Sequence, residues 1–174
     1  MTRKEFLNKV ANGKVDFLQV FIDILKNEKI KFCAIGGLAV NAYADLVISL
    51  DLAVVIVAEK LGLLIPEFKK YFKVESFSNS INVSDKKSDL RIQIQTDQRY
   101  QSFLTRSKMK EVLGYKIPVA AVEDVFQGKV WAVTDQTRRP SKRQKDLADI
   151  LRLIEVEKNL EKFLPRQIKE QLLK

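Results

Sequence analysis

Apolar residues recur along the chain at two spacings, and the switches between them mark out its elements. From Lys14 to Glu28, Val15, Leu18, Phe21, Ile22 and Leu25 repeat at three- and four-residue intervals, which predicts an amphipathic helix covering one side of a sheet. Gly13 separates it from a shorter N-terminal turn. Lys29–Ile35 reads as a strand and Leu38–Ala44 as a short helix, with the paired glycines Gly36-Gly37 forcing the start of that helix. In Val47–Val57 the period becomes two. Ile48, Leu50, Leu52, Val54 and Ile56 share one face, and Val47, Ser49, Asp51 and Ala53 share the other, the only face with polar residues.

Ala58–Phe72 predicts a helix kinked at Pro66, and Val74–Phe77 and Ile81–Val83 predict short strands. The turn signal Asp85-Lys-Lys-Ser88 leads into Asp89–Gln95, where alternation sends Leu90, Ile92 and Ile94 to the core and Asp89, Arg91 and Gln93 the other way. Gln98–Leu104 reads as helical, and Met109–Leu113 and Tyr115–Val119 as extended segments on either side of Gly114. Val122–Val133, Ser141–Val156 and Pro165–Leu173 read as helices. The sum is an α/β fold: a strongly twisted mixed sheet with flanking helices on one side, an open active face and a C-terminal helical segment closing a cleft. A soft boundary near Pro118 divides an α/β core, 1–118, from the helical segment, 119–174. With 174 residues, 46% of them hydrophobic, the two are expected to form one compact unit.

Composition removes several chemistries. There is no histidine, so a Cys/His zinc site, a Ser-His-Asp triad and a Cys-His dyad are excluded. The single cysteine, Cys33, lies in an apolar run and reads as a small core residue. Catalysis would have to come from carboxylates, lysines, arginines or a bound metal. Apolar runs fall short of the ~20 residues of a membrane span, and no signal-like apolar region follows the first charges, so a cytoplasmic protein without a membrane partner is expected. The formal charge of +9 fits either an anionic partner or a solvated basic surface. The cations concentrated between Arg138 and Lys145 tilt the balance toward the partner.

Gly36-Gly37 after a strand lets the backbone approach a phosphate closely. Phosphoryl transfer draws on divalent cations held by carboxylates; two acids two residues apart on a strand share a face, and a third can come from a neighbouring strand. Asp51 and Asp89 fill two such places, and Ala53 stands where another acid would sit.

At this point the chain resembles the nucleotidyltransferase superfamily, and within it the abortive-infection toxin (AbiEii-like) and minimal nucleotidyltransferase branch. The resemblance is carried by Ile35-Gly-Gly-Leu-Ala-Val-Asn-Ala-Tyr43, Ser49-Leu-Asp-Leu52, Asp89-Leu-Arg-Ile-Gln-Ile94, Val112-Leu-Gly-Tyr-Lys-Ile-Pro-Val-Ala120, Glu123-Asp-Val-Phe-Gln-Gly-Lys129 and Lys145-Asp-Leu-Ala-Asp-Ile150, in family order. It implies that Asp51 and Asp89 are catalytic and bind Mg²⁺. Gly36, Gly37 and Ser49 would line the nucleotide, with Lys129 and Lys145-Asp146 bordering it from the helical half. The implied reaction moves a nucleoside monophosphate from an NTP to an RNA or protein hydroxyl, with tRNA or another RNA as acceptor and a protein antitoxin as partner.

Ala53 departs from the family pattern, which has a second aspartate there. An inactivating substitution, a naturally degenerate site and a site completed by another residue all fit the sequence. The alternative function is a non-catalytic nucleotide- or RNA-binding module, one member of a toxin-antitoxin pair. Arg138, Arg139, Lys142 and Arg143 read as a polyanion-binding patch beside the site or as a solvated loop and helix start. Phe126 and Trp131 are spaced as helix-interior core rather than as a base-stacking platform.

Overall fold

The structure, a computed structural model, describes residues 1–172; Leu173, expected at the end of the last helix, lies outside them. Where the sequence promised only a turn, helix α1 (Arg3–Val10) forms because Thr2 and Glu5 make a reciprocal capping box. The Thr2 hydroxyl accepts the Glu5 N–H at 3.2 Å and the Glu5 carboxylate accepts the Thr2 N–H at 2.6 Å. Helix α2 (Phe17–Asn27) follows, capped by the Asp16 carboxylate, then strand β1 (Phe32–Ile35) and helix α3 (Gly36–Val40). Strand β2 (Asp51–Ile56), a 3₁₀ turn at Ala58–Lys60 and helix α4 (Leu61–Tyr71), which contains Pro66, lead to β3 (Lys73–Ser76), β4 (Ser80–Ser84) and β5 (Arg91–Gln95). The stretch read as one helix from Gln98 splits into a 3₁₀ turn, Gln98–Tyr100, and α5 (Phe103–Arg106). The hairpin β6 (Lys108–Val112) and β7 (Tyr115–Val119), helices α6 (Val122–Thr134) and α7 (Pro140–Val156), a 3₁₀ segment at Lys158–Phe163 and helix α8 (Arg166–Leu172) complete the described chain.

The seven strands make one mixed sheet in the order β3-β4-β5-β2-β1-β7-β6. At its centre β1 runs antiparallel to β2 and parallel to β7, and β2 runs parallel to β5. Register turns the sequence alternation into two opposite surfaces. Leu52 pairs with Ile92 and Val54 with Ile94, Val83 and Ile81 continue the rows on β4, and all six are buried. The residues between them form the other surface: Asp51 beside Arg91 and Ser84, and Ala53 beside Gln93 and Asn82.

Aromatic pairs join α2 to the α4 end of the molecule, Phe21 stacking on Phe68 and Phe17 meeting Phe72 edge-on, both at 5.0 Å. Burying each such ring stabilises by roughly 1.5–3 kcal/mol. Phe126 is buried, and Trp131 is half-buried against Tyr100 (5.2 Å) and Phe103 (5.8 Å) with the Arg99 guanidinium over its ring. Cys33 is fully buried on β1; burial, and then the charge of Asp124, pushes its thiol up to about 12. Among the described residues no helix is long and apolar enough to cross a membrane.

Two strands start later than their alternation implies. The Asn41 side chain brackets Val47, donating to its carbonyl at 2.9 Å and accepting its N–H at 3.0 Å, so residues 45–50 form a loop and β2 begins at Asp51. Asp89 is drawn off the sheet: its N–H bonds to the Ala11 carbonyl at 2.7 Å and its carboxylate accepts from Asn12 at 2.6 Å, leaving β5 to begin at Arg91.

Candidate functional site

A cleft of about 200 Å³ opens where β1 ends. The chain turns there through Gly36 at φ +60°, a left-handed conformation that a side chain strains, and a Cβ on Gly36 would stand 3.2 Å from that of Ala53. Ser49, Asp51 and Ala53 with Arg91 and Gln93 form the floor; Lys129 from α6 and Lys142, Lys145, Asp146 and Asp149 from α7 form the wall. Arg138 and Arg152 complete a lining of six cationic and three acidic side chains.

Asp51 is held from two directions. Lys142 reaches across from α7 and donates to one carboxylate oxygen at 2.6 Å, while Arg91, its register partner on β5, donates to the other through Nε (2.9 Å) and Nη2 (2.7 Å). The three side chains remain between 32% and 47% exposed, so solvent and solutes reach them. Partial burial pushes the Asp51 carboxyl up, but the bond and charge of Lys142, and then Arg91, outweigh it and hold the group below its ordinary value.

Behind these three side chains lies a second network with a buried centre. The Lys129 ammonium, 8% exposed, bridges Asp146 at 2.8 Å and Asp149 at 2.6 Å. Asp146 also accepts from Arg138, and Asp149 from Arg152 at 2.7 Å. Arg152 in turn reaches Asn41 and the Asp45 carbonyl, tying α7 to the loop before β2. Asp149 also faces the glycine turn, its carboxylate 3.9 Å from where a Gly37 Cβ would be.

Of the residues singled out from sequence, Gly36, Gly37, Ser49, Asp51, Lys129, Arg138, Lys142 and Lys145 line this one cleft. Asp89 does not; it is turned onto Asn12 at the foot of β5, so the expected convergence of Asp51 and Asp89 is corrected. Arg139 and Arg143 also fall outside, because α7 begins at Pro140 and its helical spacing brings 142, 145, 146, 149 and 152 to the cleft. Arg91, Gln93, Arg152 and Asn41 belong to the site or support it and were not singled out as functional. The signal for Arg91 and Gln93 was present in the alternation of Asp89–Gln95; that for Arg152 was its helical phase with Asp149.

The pair of Mg²⁺ ions implied by the resemblance needs several carboxylates at one point. The floor offers one, with both oxygens engaged by cations, beside the methyl group of Ala53 and the neutral amide of Gln93. Among the described residues no group of three or more His, Cys, Asp or Glu side chains is arranged to hold a metal ion. The donor set does not fit the metal pair.

No protein-family model matches the sequence, and no curated protein matches it. Among solved structures, the antibiotic-resistance factor ANT(2'')-Ia is similar over 90% of this chain and 91% of its own, with a TM-score of 0.64 and 10% identity. The lincosamide antibiotic adenylyltransferase LnuA, in its lincomycin-bound form, matches over 82% of this chain and 99% of its own, with a TM-score of 0.57 and 12% identity. An antigenic nucleotidyltransferase-like protein from Paracoccidioides brasiliensis matches over 86% and 75%, with a TM-score of 0.54 and 18% identity. At these identities the likeness establishes the fold, a nucleotidyltransferase-like mixed sheet with flanking helices.

Proposed function

We propose that this chain is a nucleotide-binding module built on the nucleotidyltransferase fold, whose cleft receives the phosphate tail of an NTP without carrying out metal-dependent transfer. The observation behind the reading is the make-up of the cleft floor: Arg91 and Gln93 occupy the β5 positions in register with Asp51 and Ala53, so Asp51 is the one carboxylate of a floor where two-metal transfer needs several acids at one point. Arg138, Lys142 and Lys145 add positive charge on the opposite wall, and Lys145 has no carboxylate partner among the described residues. Charge-assisted bonds from such groups to phosphate are about twice as strong as neutral ones. The cavity, at about 200 Å³, is smaller than the roughly 300–1,000 Å³ that encloses a drug-sized ligand. That size suits a polyphosphate tail with its nucleoside at the mouth.

The reading keeps the NTP of the family resemblance and gives no role to an RNA or protein acceptor or to an antitoxin. Its test is calorimetric titration with ATP, GTP, CTP and UTP, alongside incubation of each radiolabelled NTP with Mg²⁺ and a panel of RNA, protein and small hydroxylated acceptors. Saturable binding without transfer is the expected result. Metal-dependent labelling of any acceptor would restore the transferase reading, and absence of binding to all four NTPs would remove the nucleotide.

A further inference from the structure

We infer that the cleft takes its phosphate ligand free of divalent metal, with Lys142 and Arg91 supplying at Asp51 the positive charge that a metal would bring. The inference rests on the nucleotide-binding reading and names the form of the ligand. Asp51 already has a cation on each oxygen, at 2.6 Å and at 2.7–2.9 Å. An arriving Mg²⁺ would therefore meet two positive groups in place of a free carboxylate, and the rest of the floor offers it only the Ser49 hydroxyl, already bonded to the Asp51 backbone, the neutral amide of Gln93 and the methyl group of Ala53. A phosphate meets the opposite situation. Both cations are partly exposed, and each has donors left after bonding Asp51, since an ammonium carries three N–H groups and a guanidinium five. Asp51 then acts as a positioning residue that aims the two cations into the cleft while competing with the ligand for them.

Two consequences separate this arrangement from an ordinary basic surface. Mg²⁺ should oppose binding, because it removes negative charge from the triphosphate and gains nothing at Asp51. Neutralising Asp51 should strengthen metal-free binding, because Lys142 and Arg91 lose their competitor.

The experiment titrates the intact chain by calorimetry with ATP and with inorganic triphosphate, in EDTA and in excess MgCl₂ at matched ionic strength. The affinity in EDTA should exceed that in MgCl₂ by about tenfold, the weight of one charge-assisted contact. Asp51→Asn, which preserves side-chain shape, should tighten the EDTA affinity severalfold. Lys142→Gln combined with Arg91→Gln should weaken it by tenfold or more and remove the disadvantage of Mg²⁺, because Asp51 is then free to accept the ion. Arg139→Gln with Arg143→Gln, outside the cleft, should leave the ratio of the two affinities unchanged. Tighter binding in MgCl₂, weaker EDTA binding by Asp51→Asn, or an unchanged ratio in the Lys142/Arg91 double variant would each overturn the inference. Absence of binding under every condition would instead overturn the nucleotide-binding reading on which it rests.

Discussion

Two ion clusters share this cleft and differ in what surrounds them. Lys129 is sealed between Asp146 and Asp149, with Arg138 and Arg152 closing the ends of a five-membered chain of charges. Asp51 is held by Lys142 and Arg91 at similar distances but stays more than a third exposed. Distance alone would rate the clusters alike; burial separates them. Removing one partner from a buried pair leaves a charge that water cannot reach, whereas partners at a surface fall back on solvent. Burial therefore predicts a structural role for the first cluster and leaves the half-open one able to exchange partners.

The largest effect expected from breaking this contrast is that of Lys129→Met. It leaves Asp146 and Asp149 to Arg138 and Arg152 alone and should cost about 3 kcal/mol in urea denaturation. A loss below about 1 kcal/mol would place both clusters in one class. Lys142→Gln, the matching change at the open cluster, should lower stability by less than about 1 kcal/mol while weakening triphosphate binding.

Acid sharpens the comparison further. Because Lys142 and Arg91 hold Asp51 below the ordinary 3.8, its ion pairs contribute fully above that value and fade as pH falls through the lower folded-state one. In denaturation profiles, Asp51→Asn should therefore differ from the parent above about pH 4 and converge with it below. The difference should be a fraction of a kcal/mol, given the exposure of the group. Smallest of all should be Ala53→Asp, a stability change of about 0.5 kcal/mol or less at a half-buried position facing a glycine. It should yield no Mg²⁺-dependent transfer from radiolabelled NTP, since Asp51 stays engaged and Gln93 stays neutral. Transfer gained by this single change would reopen the transferase reading.

Much of the fold was legible because local pattern and tertiary placement agree in the central strands. The alternation of Leu52, Val54 and Ile56 with Asp51 and Ala53 gives the two faces of β2 as they stand, and Gly36 marks the turn that only its positive φ permits. The site was legible in part. Asp89 has the right phase for the polar face, yet contacts to Ala11 and Asn12, nearly eighty residues earlier in the chain, pull it away; periodicity carries no trace of them. The basic run from Arg138 to Lys145 looked uniform, but the helix that starts at Pro140 sorts it into cleft-lining Lys142 and Lys145 and outward Arg139 and Arg143. Nor could the sequence show that the acids nearest Lys129 in space would come from the next helix and consume its charge.

The lone cysteine of β1 gives the intact chain a built-in clock. Cys33 sits in an interior strand, beside the central β2, with no exposed surface and a thiol pushed up to about 12, so a maleimide or disulfide reagent at neutral pH finds neither access nor thiolate in the closed protein. Modification must wait for β1 to separate from its neighbours. Its rate in excess reagent therefore reports how often the middle of the sheet opens, with no label introduced and no residue of the cleft altered.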